Sequence, residues 1–170
     1  DVGAFVDWAF EQMGGLNGLV NNAGILRDGL LVKKDRETGA VKKLTKDQWD
    51  AVIGVNLTGA TLLARDVVAK MVEKEQKPGC IVNISSMVGL LGLPHNVAYS
   101  LTKGAVRSFS EGLRAELITT RIGVTAVFPG AINTDIISSA RGAEAARLAG
   151  LSSGRLGPRL LTQPETVADR

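Results

Sequence analysis

Apolar residues fall at helical spacing over positions 2–13, where Val2, Phe5, Val6, Ala9, Phe10 and Met13 recur every three or four residues. Gly14-Gly15 predicts the end of that helix. Positions 16–20 read as a short strand, with Asn21-Asn22-Ala23-Gly24 as a turn at its carboxyl end. Two strand-like arms flank Glu37-Thr38-Gly39, which predicts a protruding hairpin over 32–43. Thr45 with Gln48 has the form of a capping box. Behind it Trp49, Val52, Ile53, Leu57, Ala60, Leu63, Val67, Val68 and Met71 mark a long helix, which Lys77-Pro78-Gly79 ends. Asn56 and Gly59 interrupt its interior at a propensity cost, so a packing or functional reason is expected there. A buried strand follows at 80–85, and Ser86 closes it. Tyr99 and Lys103 open a second amphipathic helix that runs to about 118 and buries Ala105, Val106, Phe109, Leu113 and Leu117. Positions 124–128 read as another buried strand, ending at Pro129-Gly130. Over 135–161 the pattern weakens into an Ala-, Ser-, Gly- and Arg-rich stretch that reads as a helical lid, and Gln163-Pro164 opens one more helix.

Alternating strands and helices with apolar strands predict an α/β fold: a doubly wound parallel sheet with right-handed crossovers. In such sheets ligands bind beyond the carboxyl ends of the strands. The chain gathers its Asn, Ser, Pro and Gly residues at those ends.

Composition narrows the function classes. A length of 170 residues supports one domain, and 45% hydrophobic with 22% charged residues is ordinary for a globular protein. The net charge of +3 is too small to point to nucleic acid. Cys80 is the single cysteine, so no internal disulfide forms, which fits a reducing compartment. No signal-peptide pattern and no apolar run of membrane-crossing length is read. His95 is the only histidine, and no ligand cluster calls for a metal. Lys33, Lys34, Lys42 and Lys43 on the hairpin form either a solvated edge or a docking surface for an acidic partner.

Tyr99 and Lys103 stand four apart and so share a helix face. A free phenol titrates at about pH 10, and an ammonium beside it draws that value down. The phenol then becomes a usable proton donor and acceptor. By spacing alone, the pair reads equally as a helix start with a solvated lysine.

Five motifs stand in one order: Asn21-Asn22-Ala23-Gly24, Asn56-Leu57-Thr58-Gly59, Ile84-Ser85-Ser86, Tyr99-Ser100-Leu101-Thr102-Lys103 and Pro129-Gly130-Ala131-Ile132-Asn133-Thr134. Together they resemble the short-chain dehydrogenase/reductase family, nearest its 3-oxoacyl-(acyl-carrier-protein) and acetoacetyl-CoA reductase group. The resemblance implies a catalytic tetrad of Asn56, Ser86, Tyr99 and Lys103. It implies that Asn22, Ala23 and Gly24 line the cofactor, with Pro129, Gly130, Ile132 and Thr134 holding the nicotinamide carboxamide. Gly154-Arg155-Leu156-Gly157 resembles a further family turn.

The implied cofactor is NADP or NAD, slightly favouring NADP, and the implied substrate is a small carbonyl or alcohol such as a 3-oxoacyl thioester. A cytoplasmic enzyme with no membrane partner is expected. The family's Gly-rich phosphate turn, its cofactor-selecting residue and its closing strand are absent from the sequence. The reading is therefore a single partial Rossmann-like domain over 1–170, lacking the N-terminal βαβ unit and the last strand. A catalytically silent folding or interaction module is the competing expectation. Leu62, Leu63, Val67 and Val68 on one helix, with Val106, Phe109 and Leu113 on the other, exceed what one sheet face covers and predict a homodimer or homotetramer.

Overall fold

The computed structural model describes residues 1–130. Helix α1 spans Val2–Met13, capped by the Asp1 side chain and ended by Gly14 in left-handed backbone (φ 68°). Strand β1 is Gly18–Asn21. Strands β2 (Val32–Lys34) and β3 (Val41–Lys43) form the expected antiparallel hairpin. Helix α2 (Lys46–Ile53) opens on the Thr45–Gln48 capping box, passes through a π-helical segment at Gly54–Gly59 and continues as α3 (Ala60–Glu73). Strand β4 (Gly79–Ile84), a 3-10 turn at Met87–Gly89, helix α4 (Val97–Glu116) and strand β5 (Ile122–Val127) complete the described chain.

The main sheet is parallel with strand order β1-β4-β5. Val6 of α1 and Ala64, Val67 and Met71 of α3 pack with Leu117, Ile81, Ile122 and Val124 into one core. Burial alternates along β4 and β5 instead of being continuous: Ile81 and Asn83 are buried, while Cys80 between them and the Gly79 end is exposed. The physical reason is one-sided cover. Among the described residues, the core lies on one face of the sheet, and Val20 is 62% exposed.

Several boundaries differ by one or two residues from those read in the sequence, and three of them have a visible cause or register. Asn21 belongs to β1 rather than to the turn, because its side chain bonds Asn83, its cross-strand partner, at 2.9 Å. Helix α4 begins at Val97, two residues before Tyr99, because a carboxylate from elsewhere in the chain caps it. Strand β5 starts at Ile122, in register with Gly79.

The absence of a membrane-length apolar run is also corrected. Lys46–Glu73 is a continuous helical stretch of 28 residues, long and apolar enough by length and composition to cross a membrane. Asn56, Thr58 and Thr61 break the apolar run without adding charge, so it does not read as one segment. Val52, Asn56, Ala64, Val67 and Met71 along it are buried within this chain.

Candidate active site

The carboxyl ends of the three parallel strands converge with the first turns of α4. Beyond β1 comes the turn at Asn22 and Ala23, both exposed, and then Gly24. Beyond β4 comes Ser86, and beyond β5 come Pro129 and Gly130. The Met87 amide donates to the Pro129 carbonyl at 3.0 Å, which ties the Ser86 loop to the end of β5. Ile132 and Thr134, the 135–161 stretch and the turn at Gly154 lie outside the described residues.

The π-helical segment explains the Asn and Gly inside the long helix. A wider turn there carries Asn56, which is 1% exposed, toward the Gly24 turn. Asn56 Oδ1 accepts the Ile25 amide at 2.8 Å, and Nδ2 donates to the Ile25 carbonyl at 3.0 Å. Nδ2 also reaches Thr102 Oγ1 at 3.4 Å. A Cβ placed on Gly24 would meet Asn56 Oδ1 at 3.5 Å and Lys103 Nζ at 3.6 Å. Gly24, Asn56 and Lys103 thus share one spot, with no side chain between the turn and the ammonium.

Lys103 is held at both ends. Its Nζ donates to the Ile84 carbonyl at 2.7 Å, and its own carbonyl accepts the Ser85 hydroxyl at 2.8 Å. Nζ also stands 5.6 Å from the centre of the Tyr99 ring. The Ser86 hydroxyl acts on the Tyr99 phenol in the direction that favours its ionised form. Ser86, Tyr99, Lys103 and Asn56 are therefore brought together at the end of the sheet.

The electrostatics differ from the expectation of a lowered phenol pKa. Burial pushes the Tyr99 phenol above the ordinary tyrosine range; the Ser86 hydrogen bond opposes this, and the negative charge of Asp28 adds to it. Burial pulls the Lys103 ammonium below its ordinary value. The reason is aim: the ammonium points at the Ile84 carbonyl rather than at the phenol oxygen.

Several supporting residues escape a reading by motif. Asn21, Asn83 and Ser110 form a buried polar chain from β1 through β4 to α4, with Asn83 Nδ2 donating to Ser110 Oγ at 2.9 Å. Asn21 Nδ2 also donates to the Ala60 carbonyl at 3.0 Å, at the start of α3. Asp28 caps α4 across a separation of 70 residues. A cap is legible in sequence only when its helix follows directly, and no helix follows Asp28. His95, in left-handed backbone at φ 71°, lies two residues before α4.

Comparison with known proteins gives the chain's family. The chain is 37% identical over 166 residues to the 3-oxoacyl-[acyl-carrier-protein] reductase FabG of Thermotoga maritima, covering 96% of this chain and 60% of that relative. It is 36% identical over 129 residues to a cyclopentanol dehydrogenase of Comamonas testosteroni, covering 76% and 47%. In three dimensions it resembles the 3-oxoacyl-[acyl-carrier protein] reductase of Brucella melitensis, solved in complex with NAD. The TM-score is 0.72 at 30% identity, covering 95% of this chain and 60% of that one. The chain thus spans well under two thirds of the length of these relatives. The sheet is accordingly a partial Rossmann-like domain relative to theirs. A family model for short chain dehydrogenases matches residues 1–145. Because that match takes in most of the sequence, including all four residues gathered at the sheet end, the chain belongs to the short-chain dehydrogenase family.

Proposed function

We propose that the protein carrying this chain is an NAD(P)-dependent oxidoreductase that interconverts a carbonyl and a secondary alcohol, with Tyr99 as general acid and base. The observation that carries this reading is the gathering of Tyr99, Lys103 and Asn56 at the carboxyl end of the sheet, with Lys103 Nζ 5.6 Å from the Tyr99 ring and 3.6 Å from where a Cβ on Gly24 would stand. A nicotinamide cofactor, when bound, supplies or accepts the hydride.

The residues present fit that group. The side-chain-free backbone at Gly24 lies against the Lys103 ammonium, and Asn22, Ala23, Pro129 and Gly130 follow the ends of β1 and β5. We assign these residues, with Ile132 and Thr134, to holding the cofactor. Tyr99 donates its proton to the carbonyl oxygen in reduction and removes the hydroxyl proton in oxidation. Ser86, beyond the end of β4, orients the substrate oxygen. Lys103, whose ammonium stands 5.6 Å from the Tyr99 ring centre, binds the cofactor's ribose hydroxyls. Asn56 acts mainly by fixing the Ile25 backbone and with it the Gly24 turn; anchoring a water for Lys103 is secondary.

The 37% identity to a 3-oxoacyl-[acyl-carrier-protein] reductase supports a 3-oxoacyl thioester as substrate, while the cyclopentanol dehydrogenase supports a simple cyclic ketone. NADP or NAD serves as cofactor, NADP slightly favoured. The domain assignment is a single unit with the hairpin as an insertion. The working assembly is a cytoplasmic homodimer or homotetramer. The test is cofactor oxidation by the full-length protein with acetoacetyl thioester and with cyclopentanone, using each reduced cofactor. Turnover of either ketone supports the reading. No turnover with any pair would favour the silent folding or interaction module, which the 60% coverage of relatives keeps in view.

A further inference from the structure

Asp28 lies between β1 and β2, four residues beyond Gly24, and is 6% exposed. Helix α4 has no side-chain cap from its own N-cap residue, Asn96. Asp28 fills that place from outside. Its Oδ1 accepts the Ala98 amide at 3.0 Å and its Oδ2 accepts the Tyr99 amide at 2.7 Å. The unpaired amides and the positive end of the helix dipole both favour a carboxylate there. Tyr99 is therefore held by its main chain at the head of α4, through Asp28.

We propose that Asp28 is the positioning residue of this site, its carboxylate clamping the first turn of α4 and so fixing where the Tyr99 phenol stands against Ser86. The inference rests on the reading of Tyr99 as the acid and base. It adds a second effect to the clamp: a negative charge near the phenol opposes phenolate formation. The groups around that phenol are Asp28 from the β1–β2 connection, Ser86 from the end of β4 and Lys103 from α4 itself. His95, in the loop just before α4, is the next titratable side chain.

Tyr99 is the only tyrosine of these 170 residues, and its phenolate in the full-length protein is read as the ultraviolet difference between each protein and its own Tyr99→Phe variant. The full-length protein and its Asp28→Asn and Asp28→Glu variants are titrated and assayed for kcat and KM. Asp28→Asn removes the charge and turns one acceptor into a donor facing an amide. The phenol is expected to ionise at lower pH, with kcat reduced roughly ten- to a hundredfold through misplacement and the cofactor KM unchanged. Asp28→Glu keeps the charge but cannot reach both amides in the same geometry. Its phenol should titrate as in wild type while kcat still falls. A kcat and a titration both unchanged in Asp28→Asn would overturn the proposal. A fallen kcat with an unmoved titration in Asp28→Asn would reduce Asp28 to an ordinary helix cap and also overturn it. If Asp28→Asn does not fold, a wild-type kcat in Asp28→Glu is the overturning result. Turnover in Tyr99→Phe would sink the catalytic reading separately, and a shifted phenol titration in Asp28→Asn would still support the clamp.

Discussion

Gly89 and Gly104 meet backbone to backbone: a Cβ on Gly89 would stand 2.8 Å from the Gly104 amide nitrogen and 2.7 Å from the Lys103 carbonyl carbon. The atoms in the way are main chain and cannot swing aside. Gly89→Ala is therefore expected to push the 3-10 turn off α4, lowering stability by about 1–3 kcal/mol. Urea unfolding measures the loss, and turnover should fall with it because the same turn follows Ser86. Gly104→Ala, whose Cβ would meet only the Gly89 carbonyl oxygen at 3.1 Å, should cost less.

Tyr99→Phe should leave the fold intact and abolish turnover. The ring keeps its packing, and only the hydroxyl is lost. General acid–base catalysis contributes roughly 10²–10⁴-fold, so kcat should drop by at least that range. Steady-state kinetics with either ketone checks it, and a rate within a few-fold of wild type would end the assignment.

Asn56→Ala should act through the turn rather than through the proton. It strips both main-chain polar groups of Ile25 of their side-chain partner. Leaving such groups unsatisfied costs about 1–3 kcal/mol. The cofactor KM should rise more than kcat falls, since the loosened backbone adjoins Gly24. Calorimetry and a KM-against-kcat comparison separate the two effects.

The raised Tyr99 pKa sets a pH dependence of stability. The folded state holds this proton to higher pH than the unfolded chain does, so the contribution is complete below about pH 10 and is lost as pH rises through the folded value. The lowered Lys103 pKa works in the opposite direction, because the unfolded chain then holds the extra proton and stability rises with pH. Comparing wild type with Tyr99→Phe isolates the phenol. The variant should lose less stability between neutral and strongly alkaline pH, read from urea midpoints.

The expected oligomer requires a different test residue from the one the helical pattern selects. Phe109, Leu113, Leu63 and Val68 pack against this chain's own core. Val97 and Leu101 on α4 instead stand 41% and 46% exposed. Leu101→Glu should reduce the mass of a homodimer or homotetramer measured by light scattering during size-exclusion chromatography. A monomeric wild type at micromolar concentration would contradict the expectation.

Local interactions were legible in the sequence because both partners are neighbours along it. The Thr45–Gln48 capping box, the Gly14 helix stop, the hairpin and the Tyr99–Lys103 helix face all follow from spacings of a few residues. The parallel sheet followed from alternation of element types. Only the tertiary structure decided which way the polar groups point. Lys103 turns its ammonium to the Ile84 carbonyl because that buried site offers an acceptor 2.7 Å away, so burial rather than a direct charge on the phenol oxygen governs Tyr99. Asn21 joined the strand because Asn83 faces it across the ladder, 62 residues on. Asp28 became the cap of α4 through chain crossing, not through chain order. A buried hydrogen-bonding group must find a partner wherever the fold puts one, and sequence spacing does not encode that meeting.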